Sequence, residues 1–172
     1  KFSLERVHKA GAVFNLEKLK WMNYEHLRRK PDFEVLKMLR TEISKSEFSS
    51  NTYSDDHLLK VIGAMKERVS FVKEYLTKSP YFFHAPETYE EQNLNKRWKE
   101  DSAELLDKLK KKKKKLENPS KEDFEKALDE IASQLNINKG KLVHPLRIAV
   151  SGVGEGPGVY DIVSVLGKDE TI

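Results

Sequence analysis

The chain has 172 residues, room for one domain or two small ones, and its 38% hydrophobic and 35% charged residues allow an ordinary core under a heavily charged surface. It has no cysteine, which excludes a disulfide framework and thiolate metal sites and fits a cytoplasmic setting, and no apolar run reaches the roughly 18 residues of a membrane span. The formal net charge is +4; residues 1–85 carry 16 Lys and Arg against 11 Asp and Glu, and residues 86–172 carry 16 against 17, so the first half fits either a polyanionic partner or a plainly solvated surface.

The start, KFSLERVHKAGAVF, has no signal-peptide apolar core and no initial Met, so the expectation is a piece of a longer protein. Helical signals then dominate. Asn15 is placed to cap LEKLKWM, and Asn23 to cap a second short helix, YEHLRRK. Pro31 opens PDFEVLKMLRTEIS as a first-turn proline, and SSNTYS reads as a loop. Ser54, followed by two aspartates, starts a helix predicted over 55–78. Its apolar stripe is Leu58, Ile62, Met65, Val69, Val72 and Leu76, and Arg68 is the single cation in the neighbouring row.

KSPYFFHAPETY carries two prolines and marks a boundary between two subdomains, residues 1–84 and 85–172. Beyond it, EEQNLNKRWKEDSAELLDKLKKKKKKLE reads as one long helix. Its buried side is Leu94, Trp98, Leu105, Leu109 and Leu116, with a slip in register between Trp98 and Leu105. The six lysines 110–115 suit a solvated helix end and the negative end of a helix dipole, with nonspecific phosphate contact as the rival reading. Ser120 and Asp123 resemble a capping box before FEKALDEIASQLN, whose apolar face is Phe124, Ala127, Leu128, Ile131 and Leu135. Trp21 and Trp98 read as core anchors. The expected fold class is all-α, two small helical bundles in tandem, without an internal repeat. RIAVSGV is the segment whose β-branched residues could pass for a strand.

The stretch SGVGEGPG poses the sharpest question, because four glycines between apolar segments look like a phosphate cradle. A dinucleotide fingerprint fails, since its last glycine would fall on Pro157 or Val159, and no G-K-[ST] ending is present. The backbone reading is a hairpin between helices. Gly152 closes one helix in a left-handed conformation, Pro157 and Gly158 open VYDIVSVLG, and Gly167 closes it. Histidines 8, 26, 57, 84 and 144 lack paired metal-ligand spacing, and no nucleophile elbow occurs. No catalytic residue and no metal ligand is expected.

KAGAVFNLEKLKWMN, residues 9–23, resembles the segment just after the lysine-containing ATP loop of bacterial-type glutamyl-tRNA synthetases. HPLRIAVSGVGEGPGVYDIVSVLGKDETI, residues 144–172, is similar to their carboxy-terminal signature. The order and helical filling between these motifs match too, so the resemblance covers nearly the whole chain. It implies the helical anticodon-binding half of a class I synthetase, without the nucleotide-binding half. On that resemblance the whole enzyme uses ATP and Mg to attach glutamate to tRNA(Glu), whereas this chain alone carries no cofactor and no activity. The implied partner is tRNA(Glu), not DNA and not a membrane, and the implied state is a cytoplasmic monomer.

The same resemblance implies RNA-binding roles for Arg68, His144, Arg147, Gly156 and Val159. Arg68 matches an arginine that reads the last anticodon base, His144 a base-stacking position, and Arg147 a fork of donors for a base edge or phosphate. Gly156 and Val159 line the loop near the anticodon, and Gly156 lacks the hydroxyl found in relatives. Each residue has a rival: Arg68 as an ion-pair partner, Arg147 as a helix cap, His144 as a packed helix-start residue. Lys18, Lys20, Arg28 and Arg29 stand either as phosphate contacts or as a solvated face. The competing function is a helical protein–protein interaction module. An RNA module should gather Arg68 and Arg147 on one face, and an interaction module should expose a contiguous apolar patch.

Overall fold

A computed structural model describes residues 14–113 and 121–167. Among the described residues the fold is all-α, with helices α1 (Leu16–Arg29), α2 (Asp32–Ile43), α3 (Asp55–Met65), α4 (Glu74–Thr77), α5 (Glu91–Arg97), α6 (Ser102–Lys113), α7 (Lys121–Gln134), α8 (Gly140–Ser151) and α9 (Val159–Leu166). Short 3-10 turns occupy Glu47–Ser50 and Pro80–Phe82. The segment RIAVSGV is helical up to Ser151, and Leu142, Leu146 and Val150 bury at helical spacing.

Side chains and glycines set most helix ends. Asn15 accepts from the Lys18 N–H (2.9 Å) and Ser54 from the His57 N–H (3.1 Å), each satisfying an amide that the first turn leaves unpaired. Gly152 ends α8 at φ 72°, and its N–H returns to the Ile148 carbonyl. Gly158 and Gly167 flank α9 as expected.

Other boundaries differ from expectation. Asn23 is no cap: α1 runs through it, and its amide donates to the Ser70 carbonyl across the fold. Pro31 sits at the N-cap of α2, one position before the first turn. The helix expected over 55–78 stops at Met65, and Arg68 N–H closes a tight turn on the Met65 carbonyl (2.8 Å). The chain restarts at α4 because Glu74 Oε2 accepts the N–H of Ser70 (2.6 Å) and of Phe71 (3.4 Å), drawing them out of any helix. Burial opposes the Glu74 charge, but the Ser70 N–H and Lys78 hold its carboxyl below the usual range.

The long helix expected from residue 91 likewise breaks at Trp98, which is extended (φ −89°, ψ 122°). Ser102, almost fully buried, accepts the Lys99 N–H there (2.8 Å) and opens α6. The slip in register was the trace of that break. Trp98 is only half-buried, and Trp21, expected in the core, is 61% exposed beside Phe14, Leu16, Leu19 and Met22. The capping box expected at Ser120 lies outside the described residues.

One buried cluster runs from Leu27 to Val165. It takes Val35, Leu39 and Ile43 from α2, Leu58, Val61, Ile62 and Met65 from α3, and Val159, Ile162, Val163 and Val165 from α9. Helix α3 packs directly on α9, while α8 packs on α5, α6, α7 and α9. The proline-bounded segment at 79–86 is threaded through this core, with Tyr81, Phe82 and Phe83 all buried. Tyr53 donates to the Phe83 carbonyl (2.9 Å) and His57 Nε2 to that of Phe82 (2.9 Å), fixing the segment's backbone.

Candidate nucleic-acid interface

The glycine loop hangs between α8 and α9 and is tied down on two sides. From α8, a guanidinium N–H of half-buried Arg147 donates to the Pro157 carbonyl (2.8 Å). From the start of α5, Glu90 N–H donates to the Gly152 carbonyl (2.9 Å), while the Glu90 carboxylate accepts the Gly154 N–H (3.0 Å). Gly156 stands exposed at φ 127°, and a Cβ there would lie 2.9 Å from the Tyr81 hydroxyl. The glycines therefore answer to backbone geometry and close packing.

Electrostatics separates the arginines into two groups. Arg28, Arg29 and Arg40 each sit within 4 Å of a carboxylate. Arg68, Arg97 and Arg147 have no such ion pair among the described residues. Two of them bear on the third: burial first, then Arg97 and Arg68, push the Arg147 pKa down. The Tyr81 hydroxyl feels both Arg147 and Arg68, yet burial dominates and pushes its pKa up to about 12. That hydroxyl is buried without a hydrogen-bond partner among the described residues. A guanidinium stays charged even when half-buried, so Arg68, Arg97 and Arg147 remain three cations, none with a carboxylate within 4 Å among the described residues.

The residues expected at the site are thus partly brought together. Arg68 lies exposed in the turn after α3, pinned by Lys78 Nζ on its carbonyl (3.2 Å), and joins Arg147. His144, in the second turn of α8, faces Arg97, whose guanidinium lies 3.1 Å from its Nδ1. Gly156 is at the rim. Val159 follows the loop directly, with its side chain 3% exposed and packed into the core. Arg28 and Arg29 are engaged with Glu25 (3.5 and 3.0 Å), and Lys111 with Asp107 (2.7 Å).

Arg97, Tyr81 and Glu90 were not foreseen. Tyr81 had a signal: three consecutive aromatics between prolines are too apolar for an exposed linker. Arg97 and Glu90 had none, because both look like ordinary surface charges until α5 packs on α8. Among the described residues no group of three or more His, Cys, Asp or Glu could hold a metal ion, and no helix is long and apolar enough to cross a membrane.

Known proteins share this sequence and fold. Residues 25–172 match the model of the anticodon binding domain family. The chain is 40% identical to the glutamate–tRNA ligase of Chloroherpeton thalassium and 38% identical to that of Chlorobaculum parvum; the matches cover 98% and 100% of this chain but 35% and 36% of those proteins. A crystal structure of a glutamate tRNA ligase from Elizabethkingia meningosepticum, in complex with its amino acid, superposes with a TM-score of 0.91 at 34% identity. It covers 99% of this chain and 33% of that one. Glutamate-tRNA synthetase from Elizabethkingia anophelis gives a TM-score of 0.87 at 32% identity, with the same coverage. The chain therefore spans about a third of the length of the relatives it matches. With the family model covering all but its first 24 residues, this chain belongs to the anticodon binding domain family found in glutamate–tRNA ligases.

Proposed function

We propose that this chain recognises the anticodon of tRNA(Glu) as part of a glutamate–tRNA ligase that couples ATP cleavage to attachment of glutamate. The observation that carries the reading is the carboxylate-free arginine cluster beside the glycine loop. Anticodon bases are single-stranded and splayed, so they can be met by guanidinium planes and forks and by flat rings. Arg147 and Arg68 are base or phosphate donors in this reading, His144 is a stacking surface, and Gly156 offers backbone only. Residues 1–84 face the inner corner of the tRNA and, through Arg68, the anticodon, and residues 85–172 form the rest of the anticodon-binding part. The chain works as a cytoplasmic monomer, binds RNA rather than DNA, and leaves ATP, Mg and the acyl transfer to the remainder of the ligase.

The test is binding of the 172-residue chain to native tRNA(Glu) and to a transcript with a substituted anticodon, read by fluorescence anisotropy. Tighter binding of the native sequence is expected, with affinity falling as salt rises. Equal binding of both RNAs would refute anticodon reading. Glutamate-dependent ATP–pyrophosphate exchange by the chain alone would refute the division of labour.

A further inference from the structure

We propose that Arg97 is a positioning residue of this rim: by donating to His144 Nδ1 it fixes the imidazole as the neutral Nε2–H tautomer, which is the form offered to RNA. The proposal rests on the tRNA reading above and assigns a role to a residue outside it.

The geometry leaves little choice of tautomer. The Arg97 guanidinium lies 3.1 Å from His144 Nδ1, joining α5 to α8. Arginine has donors only, so Nδ1 must supply a lone pair, and the ring proton then sits on Nε2. An imidazolium has no lone pair to give, so the contact and a charged ring exclude each other. The surroundings push the same way. Burial, then Arg97, then Arg147 one turn along, all lower the His144 pKa. The nearby Lys141 of its own helix is paired with Asp101 ahead of α6 (3.6 Å). The ring lies along Gly140, one turn earlier, where an added Cβ would stand in ordinary van der Waals contact with it, 3.6 Å from Nε2.

The tautomer matters to what the rim can read. Arg68, Arg97 and Arg147 already supply positive charge, and a fourth cation would add attraction for any phosphate without sequence information. A neutral ring stacks on a base, and its Nε2–H is a single directed donor.

The experiment uses the 172-residue chain with Arg97→Ala, Arg97→Lys, His144→Ala and the double alanine variant. Ring-nitrogen NMR of the free chain should show His144 as the Nε2–H tautomer, titrating below the ordinary histidine range. Arg97→Ala should move that midpoint up, and Arg97→Lys, which keeps a donor, should largely restore it. Binding to native tRNA(Glu) should weaken roughly tenfold in Arg97→Ala at about pH 8, a loss in the range of one base–aromatic stack. The loss should shrink to about twofold in the His144→Ala background, because Arg97 acts through His144. Arg97→Ala should also gain a pH dependence between about 6 and 8 that the parent chain lacks. An Nδ1–H tautomer, an unmoved midpoint, or an equal loss with and without His144 would each overturn the positioning role. Failure of the unsubstituted chain to bind tRNA(Glu) would instead overturn the tRNA reading itself, and the role with it.

Discussion

Gly152→Ala tests the argument that the glycine loop is shaped by backbone geometry. Two costs follow from the structure. Gly152 holds φ 72°, where a Cβ costs about 1 kcal/mol. The added Cβ would also lie 2.6 Å from the Thr88 carbonyl oxygen and 3.2 Å from Pro86 Cβ. Backbone cannot swing aside as a long side chain does, so the 86–90 segment must retreat. That retreat strains the hydrogen bond from Glu90 N–H to the Gly152 carbonyl, worth about 1 kcal/mol. The sum is a loss of about 2–4 kcal/mol, which for a chain of this size lowers Tm by roughly 5–15 °C. Gly63→Ala is the internal control: it lies in α3 with nothing within 4 Å of an added Cβ and should gain about 0.5–1 kcal/mol. Urea unfolding of both variants, followed by circular dichroism, reads the two effects with opposite signs. A Gly152→Ala midpoint within 0.5 kcal/mol (about 2 °C) of the parent would refute the close approach of loop and segment.

Further outcomes are expected at other sites. Arg68→Ala and Arg147→Ala in the ligase should each reduce anticodon discrimination by about 1–3 kcal/mol, by analogy with direct base readout, whereas Lys111→Ala should shift all tRNAs alike and chiefly at low salt; comparison of native and anticodon-substituted tRNA in aminoacylation checks this. Burial raises Tyr75 as well as Tyr81, and the hydrogen bond to Glu67 raises Tyr24, so phenolate absorbance should show three of the six tyrosines ionising late. Their folded pKa values lie above the unfolded value of 10.0, so the associated stability is intact below about pH 10 and is lost as pH rises toward 12; for Tyr81 the loss is roughly 2–3 kcal/mol, seen as a falling urea midpoint. Trp21, 61% exposed, should emit as a hydrated indole and be quenched readily by iodide, and Trp21→Phe should leave a bluer, more protected spectrum from Trp98.

The local signals in the sequence were legible where one residue decides one turn. Asn15, Ser54, Gly152, Gly158 and Gly167 act within three or four residues of themselves, and their roles could be seen from spacing alone. The interruptions after Met65 and at Trp98 could not. In the first, Val69 and Leu76 remain buried across the turn, so the apolar register continues although the hydrogen bonds do not. What breaks the helix is Glu74 reaching back to two amides, a contact that depends on the neighbouring burial. Trp21 misled for another reason: aromatic content says nothing about which face of α1 meets the core, and Leu27 alone among its residues is buried. At the rim, Arg68 and Arg147 were visible through family resemblance, but Arg97 required the packing of α5 on α8.

The shared core of α3 and α9 has a consequence for recognition. Arg68 follows α3 and Arg147 precedes α9, so the two guanidinium groups belong to halves of the chain that are packed as one body through Val61, Ile62 and Ile162. The backbone positions that carry them are set by that packing before any ligand arrives. A flexible hinge between halves would have to be frozen on each encounter, and that conformational entropy would be subtracted from affinity. Here most of it is spent during folding. On the proposed anticodon reading, a ruler assembled in advance would favour the sequence that fits its span over one that does not.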